Sequence, residues 1–291
     1  MENAKTGMKA KRMREEIIRY TVLFIICLIV LFPIYWMVIT SFKTQGELFH
    51  STQTFFPQQF TLQYYLDPVD GVLTAGSPFL GFFFNSMIVA SASTVICLVV
   101  GSLAAYSLAR FEMRINKNDR LSFAILTARM LPPIVVIVPM YLIMQQLGLL
   151  NTYWAMLIVY TGFNLPFVVW MMKAFFQEIP KDLEESAMVD GDSRMKAFYK
   201  IVLPLVAPGL VATSIFTIIL TWNEFLFAMF LLNSADMMTL PPGIATFITQ
   251  YETNWGSLTA AATLAVVPVV IFSFIVQKHL VKGMTLGAVK G

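Results

Sequence analysis

Apolar residues in this chain run in long blocks instead of alternating with polar ones. Six blocks stand out: Tyr20–Phe42, Phe82–Leu108, Leu121–Leu147, Tyr153–Phe176, Leu203–Leu232 and Leu258–Val281. A helix rises about 1.5 Å per residue, so about 20 apolar residues cross the roughly 30 Å of hydrocarbon in a bilayer. Each block reaches that length, and the longer ones leave room for tilt. The pattern predicts an all-α polytopic membrane protein with six transmembrane helices. Pro33, Pro132, Pro133, Pro139, Pro166, Pro208 and Pro268 lie inside the blocks, where each frees a backbone carbonyl and predicts a kink.

The charged residues between the blocks predict an orientation. All but two of the 20 Lys and Arg residues fall in the N-terminal segment 1–19, at or beyond the ends of the second and fourth blocks, or at or beyond the end of the sixth, Lys173 and Lys278 lying just inside their blocks. The two exceptions are Lys43, in the loop after the first block, and Arg129, inside the third. Basic residues accumulate on the cytoplasmic side, so both termini are expected there. The expected division is then a cytoplasmic segment 1–19, a first helix 20–42, an extracytoplasmic loop 43–81, a five-helix domain 82–281 and a cytoplasmic tail 282–291. Residues 177–204 form the longest internal cytoplasmic segment, 148–152 a tight turn, and 233–257 a second outer loop around Pro241-Pro242-Gly243.

Composition agrees: 57% of residues are hydrophobic and 13% charged, against about 25% charged in a soluble domain. The net charge of +3 therefore reports topology beside anionic lipid and implies no nucleic-acid partner. The first block is too long for a cleaved leader and lacks a small-x-small site, so it reads as an uncleaved span. Cys27 and Cys97 both fall in spans, so no extracellular disulfide framework is implied. His50 and His279 are isolated and give no metal-ligand spacing. A phosphate-cradling G-x-x-x-x-G-K-[ST] is absent, as are H-E-x-x-H and G-x-S-x-G, so the chain is not read as an enzyme and needs no cofactor of its own.

The segment from Pro180 to Pro204 carries the most information. Pro180 suits a first helical position, and Asp182, Glu184 and Glu185 complement the positive end of the helix dipole. Gly191 can adopt the left-handed conformation that stops a helix, and Asp192 or Ser193 can cap the next one. Leu183, Ala187 and Met188 are assigned to an apolar face and Asp182, Glu184 and Glu185 to a polar one. A short helix of this kind, held beside the membrane, suits docking into a groove on a soluble partner.

The spacing Glu185-x-Ala187-x-x-x-Gly191, followed nine residues later by Ile201-x-Leu203-Pro204, resembles the cytoplasmic coupling loop of permease subunits of ABC importers. Ser186 departs from the alanine usual in that family. Further likenesses follow in order: Phe32-Pro33, Thr40-Ser41-Phe42-Lys43, Asn85-Ser86, Ala104-Ala105-Tyr106 with Arg110-Phe111, Trp222-Asn223-Glu224-Phe225, and the ending Gly283 to Gly291. Together they are similar to carbohydrate-uptake permeases of the maltose-transporter type, in particular its smaller permease. The resemblance implies a type I ABC importer permease fold in a bacterial or archaeal cell membrane. It implies a second permease subunit, an ATP-binding subunit dimer that carries ATP and Mg, an extracytoplasmic solute-binding protein, and a sugar or sugar-like solute. It also implies that Leu183, Glu184, Glu185, Ala187, Asp190, Gly191, Ile201, Leu203 and Pro204 couple to the ATPase. Gly283, Gly287, Lys290 and Gly291 would reach it through the tail, and Tyr251 and Trp255 would face the binding protein.

Glu224 and Arg129 lie well inside their blocks and are functional candidates by default. Glu224, with Asn223, lies in the outer half of the fifth block, either on a pathway or as a bundle-interior carboxylate bonded to Asn223 or backbone. Arg129 lies about 12 Å into the third; an ion pair with Glu224 conflicts with these depths, and snorkelling toward the inner headgroups fits better. Other readings compete with the ABC permease. An ion-gradient-driven secondary transporter would show inverted repeats, and a membrane enzyme would show a catalytic cluster; neither feature is found.

Overall fold

The computed structural model describes residues 2–67, 71–74, 76–111, 117–249 and 253–287, with side chains described from residue 13 to residue 275 except in 117–119. The main helices are α1 (Glu2–Thr40), α2 (Phe79–Arg110), α3 (Lys117–Ala128), α4 (Pro133–Gln146), α5 (Tyr153–Glu178), α6 (Asp182–Val189), α7 (Arg194–Ala197), α8 (Ala207–Trp222), α9 (Leu226–Leu231) and α10 (Trp255–Gly287). One-turn helices fill several of the connections. Among the described residues the strand-like pairing is an isolated bridge, Ile248–Thr253. The chain divides into two compact units, residues 1–77 with 247–264 and residues 78–246 with 265–291.

In the first unit, α1 is exposed from Met13 to Ile34, as an apolar helix surrounded by lipid would be. Past Thr40 the chain turns into a small polar core. Lys43 is fully buried there; its Nζ donates to the Thr54 carbonyl at 2.5 Å and lies 4.6 Å from the Trp36 ring centre. The loop cation is thus held inside its own fold. Glu47 accepts from the Thr54 hydroxyl and from the Gln58 N–H at 3.1 Å to each oxygen. Burial opposes ionisation of Glu47, but these hydrogen bonds and the Lys43 charge outweigh it and hold the carboxyl below its usual range. Gly256 has no room for a side chain because the Tyr64 ring lies against it.

The second unit is built on α2 and α5, packed along each other around small residues. A Cβ on Gly101 would sit 2.6 Å from Val168 Cγ1, so this glycine lets the two helices approach. Buried apolar side chains gather in two clusters at opposite ends of α5, one around Met156 and Phe227 and one around Met172 and Phe176. Asn85, early in α2, donates to the Asp236 and Met238 carbonyls at 2.8 and 2.9 Å and accepts from the Tyr153 hydroxyl at 2.6 Å. Ser86 accepts from Leu240 N–H at 2.7 Å. The Asn-Ser pair that opens α2 therefore pins the loop around residues 236–240. The turn before α5 is tight as expected, with Gly148 at φ 66° and Asn151 at φ 58°.

Among the described residues four helices are long and apolar enough to cross a membrane: Met13–Thr40 within α1, α2, α5 and Trp255–Ile275 within α10. Two bent pairs bring the number of spans to as many as six, namely Arg120–Ala128 with α4, bent by 82°, and Arg194–Leu205 with α8, bent by 74°. The third and fifth apolar blocks are thus broken, where their apolar runs alone imply one continuous helix each. Pro132 and Pro133 lack N–H groups and push their predecessors out of the helical region, and Pro208, in the first turn of α8, lacks the N–H that would bond back to the Pro204 carbonyl across the turn at Val206. The fifth block breaks again after Trp222 without a proline. There Asn223 Nδ2 donates to the Ile219 carbonyl at 2.8 Å, a local bond that competes with helix continuation. Helix α10 continues past the expected boundary at Val281 to Gly287.

Enlarging Gly101 tests the α2–α5 contact. Gly101→Val is expected to destabilise the protein by about 1–3 kcal/mol through overpacking, and the double variant with Val168→Ala to recover a large part of it. Thermal unfolding in detergent, followed by tryptophan fluorescence, reads both.

Candidate functional site

The segment after α5 forms the helix, turn and helix that its sequence predicts. Helix α6 starts at Asp182, two residues past Pro180, and has Asp182, Glu184 and Glu185 in its first turn. Its end is closed by Gly191 N–H to the Met188 carbonyl at 3.2 Å and Asp192 N–H to the Ala187 carbonyl at 3.0 Å. Gly191 stands at φ 94°, a conformation that costs other residues strain. Ser193 caps α7 by accepting from Lys196 N–H at 3.4 Å. Asp192 instead pairs with Lys196 and lies 3.9 Å from Lys200. The hydrogen bond with Lys196 holds the Asp192 carboxyl below its usual range and raises the Lys196 ammonium. A π-helical turn, Phe198–Val202, then leads into the helical turn Leu203–Leu205 that bends into α8.

The buried face of α6 keeps Ala187 and Met188 as expected but exchanges Leu183 for Glu184. Glu184, assigned above to the solvated face, is 3% exposed, and Leu183, assigned to the apolar face, is 44% exposed. At about 100° per residue, Glu184, Ala187 and Met188 share one side, and that side faces inward. The Glu184 carboxylate accepts from Tyr106 Oη and from Arg110 Nε, each at 2.5 Å. Arg110 is itself 9% exposed and its Nη2 donates to the Ile179 carbonyl at 2.9 Å. Ile179 ends α5, so a single guanidinium joins the last turn of α2, the end of α5 and the first turn of α6. At this joint the Tyr106 ring packs tilted 4.6 Å from that of Phe198 and edge-on 5.6 Å from that of Phe176. Neither Tyr106 nor Arg110 was identified as a site residue from the sequence. The signal was a basic residue ending one apolar block with a surplus of carboxylates in the next basic-rich segment.

The outward face of α6 carries Asp182, Glu185, Ser186, Val189 and Asp190, which line one shallow hollow. Val189 is 87% exposed. Leu183, Glu185, Asp190 and Gly191 are thus free to meet another molecule, while Ala187 is buried. Of the second motif element, Pro204 is exposed and Ile201 and Leu203 are half-buried.

The remaining candidates separate. Glu224 accepts from Tyr160 Oη at 2.7 Å and from the N–H groups of Phe227 and Ala228 at 2.9 and 3.3 Å. It is half-buried and caps α9 after the break. Asn223 is exposed beside it. Arg129 forms no ion pair with Glu224; its Nη1 lies 3.3 Å from Asn164 Oδ1 and 3.4 Å from the Phe163 carbonyl. Trp255 is half-exposed at the start of α10. Gly283 and Gly287 belong to the run of α10, and Tyr251, Lys290 and Gly291 lie outside the described residues.

A family model described as "Binding-protein-dependent transport system inner membrane component" matches residues 98–286. The chain belongs to this family. The permease is 36% identical over 287 residues to the trehalose/maltose transport system permease protein MalG of Thermococcus litoralis, covering 96% of this chain and 100% of that one. It is 35% identical to the probable ABC transporter permease protein YurM of Bacillus subtilis, covering 92% of this chain and 87% of YurM. In fold it matches a chain of a bacterial ABC transporter involved in the import of the acidic polysaccharide alginate, with a TM-score of 0.77 over 90% of this chain and 95% of that chain at 23% identity. The permease is accordingly a non-catalytic, multi-pass subunit of a prokaryotic cell membrane whose ATPase is a separate protein.

The two adjacent carboxylates of α6 should differ in their response to removal of the charge. Glu184→Ala leaves the Arg110 charge buried and unpaired and is expected to loosen the joint by about 3–5 kcal/mol. Glu185→Gln removes an exposed charge and should cost under about 0.5 kcal/mol. Hydrogen exchange across residues 182–189 distinguishes them, rising only in the first.

Proposed function

We propose that this permease forms half of a translocation pathway for a sugar-like solute and takes its drive through the outward face of α6. The observation that carries the reading is the division of that helix. One face is tied by Glu184 to Arg110 and Tyr106, and the other presents Glu185, Val189 and Asp190 to solvent. A groove on a separate ATP-binding subunit would receive the exposed face. Closure of an ATPase dimer would then displace α6, and the buried joint would pass the displacement to the ends of α2 and α5 as a rigid-body motion between two states. The bends at residues 129–132 and near Val206 are the points where the third and fifth spans can reorient.

Both termini and residues 177–204 are assigned to the cytoplasmic side by the basic residues that flank the apolar blocks. The burial of Lys43 supports this, since it removes the one cation of the first outer loop from display. The tail beyond α10 would add contacts to the ATPase through Lys290 and Gly291, and Trp255 and Tyr251 would meet the solute-binding protein. A second permease would complete the pathway. The solute class follows the relatives: their names specify trehalose/maltose, diacetylchitobiose and sulfoquinovosyl glycerol. All carry a sugar moiety, and they differ enough in size and charge that the individual solute is not fixed.

Two substitutions test the coupling. Gly191→Pro cannot hold the φ of 94°, and Glu185→Lys reverses the charge of the exposed face. In membranes containing the partner permease, ATPase and binding protein, either variant is expected to insert normally and to abolish solute uptake. Uptake near the wild-type rate in both would refute the docking assignment.

A further inference from the structure

Arg129 stands apart from the coupling segment and is not used by it. It occupies the break between α3 and α4, and it lies against Phe163 and Asn164, near the midpoint of α5 (Tyr153–Glu178). If α5 crosses the membrane, this guanidinium is close to the mid-plane and does not reach toward the inner headgroups as the sequence suggests. Its polar contacts are weak: one nitrogen, Nη1, makes both, at 3.3 Å to Asn164 Oδ1 and 3.4 Å to the Phe163 carbonyl. Its guanidinium carbon lies 5.2 Å from the Phe167 ring centre. Among the described residues no carboxylate pairs with it, and its Nε and Nη2 have no hydrogen-bond partner. A guanidinium carries five N–H donors in a planar fork, so most of its donating capacity is unspent.

Such a group is costly in hydrocarbon and, at this depth, belongs on a bundle interior or a water-filled cavity. The seat that holds it is shared by three elements. Asn164, buried on α5, also donates to Thr221 Oγ1 on α8 at 3.3 Å, and Pro166, just beyond it, removes an N–H from α5 and frees the Gly162 carbonyl. One turn along α5, Tyr160 holds Glu224 at the second break. Two broken spans therefore meet one polar face of an unbroken helix, an arrangement that builds mid-membrane binding sites from irregular backbone and polar side chains.

We propose that Arg129 lines the solute path and presents its free donors to hydroxyl oxygens of a polyhydroxylated solute, with Asn164 and Phe167 fixing the fork. This rests on the pathway reading above. The competing source of a partner for Arg129 is a carboxylate on the second permease, which would seal the same donors inside a subunit interface.

The test uses the complete transporter with Cys27 and Cys97 replaced by serine and a single cysteine at Met130, an exposed neighbour of Arg129. Solute uptake by this cysteine variant, measured first, reports on the pathway reading separately. Labelling is followed with a negatively charged sulfonate thiol reagent and a positively charged trimethylammonium one, in nucleotide-free and ATP–vanadate-trapped states. We expect labelling that depends on state. The sulfonate reagent should be favoured by about ten-fold over the ratio for a free thiol, as a unit charge roughly 6 Å away in water-like surroundings favours one sign and disfavours the other. Arg129→Gln should bring the ratio back to that of the free thiol. Uptake with no labelling in either state, or a ratio that Arg129→Gln leaves unchanged, would overturn the proposal and place Arg129 at the interface with the second permease.

Discussion

A carboxylate withdrawn from water must find donors, and the fold around Glu184 is organised by that demand. Its two oxygens take one hydrogen bond from Tyr106 and one from Arg110, and Arg110 reaches on to the carbonyl of Ile179. Remove any partner and a buried charge or polar group is stranded, which costs far more than an exposed ion pair returns. The joint therefore has a steep penalty for partial opening. That property is what a connection between a docking helix and membrane helices needs, because a soft contact would dissipate displacement before it reached the spans.

The membrane part shows the complementary property. Prolines and short polar side chains interrupt the third and fifth apolar blocks, while α2 and α5 remain continuous and closely packed around Gly101. The interruptions leave backbone groups that are satisfied locally, by Glu224 on the first turn of α9 and by Asn223 on the Ile219 carbonyl. A rigid pair of helices carrying hinged neighbours can move as two bodies without breaking its own hydrogen bonds. The hydrogen bonds of the joint at Glu184 attach α6 to the rigid pair, while its contact with the hinged fifth span is the ring packing of Tyr106 on Phe198.

The apolar blocks made the helices legible, since only the hydrocarbon length and the period of the backbone were needed. Gly191 and Ser193 were legible because a left-handed turn and a helix cap each admit few residue types. Glu184 was misread for an equally physical reason. Three acidic residues in one short helix all favour its first turn, and nothing local distinguishes the one that faces inward. The deciding partners, Tyr106 and Arg110, lie more than 70 positions earlier. The breaks were partly legible from Pro132, Pro133 and Pro208. The break at Asn223 and Glu224 was not, because their helix-interrupting hydrogen bonds are tertiary and local at once.

The central claim is that α6 and α2 move as one body. A spin-label distance between Val189→Cys on α6 and Val99→Cys on the exposed side of α2 measures it in the assembled transporter. The account predicts the same narrow distance distribution with and without trapped nucleotide, and a broadened, shifted one when Glu184→Ala is added. A distance that changes with nucleotide by about a helical turn, roughly 5 Å, while Glu184 and Arg110 are intact would contradict it.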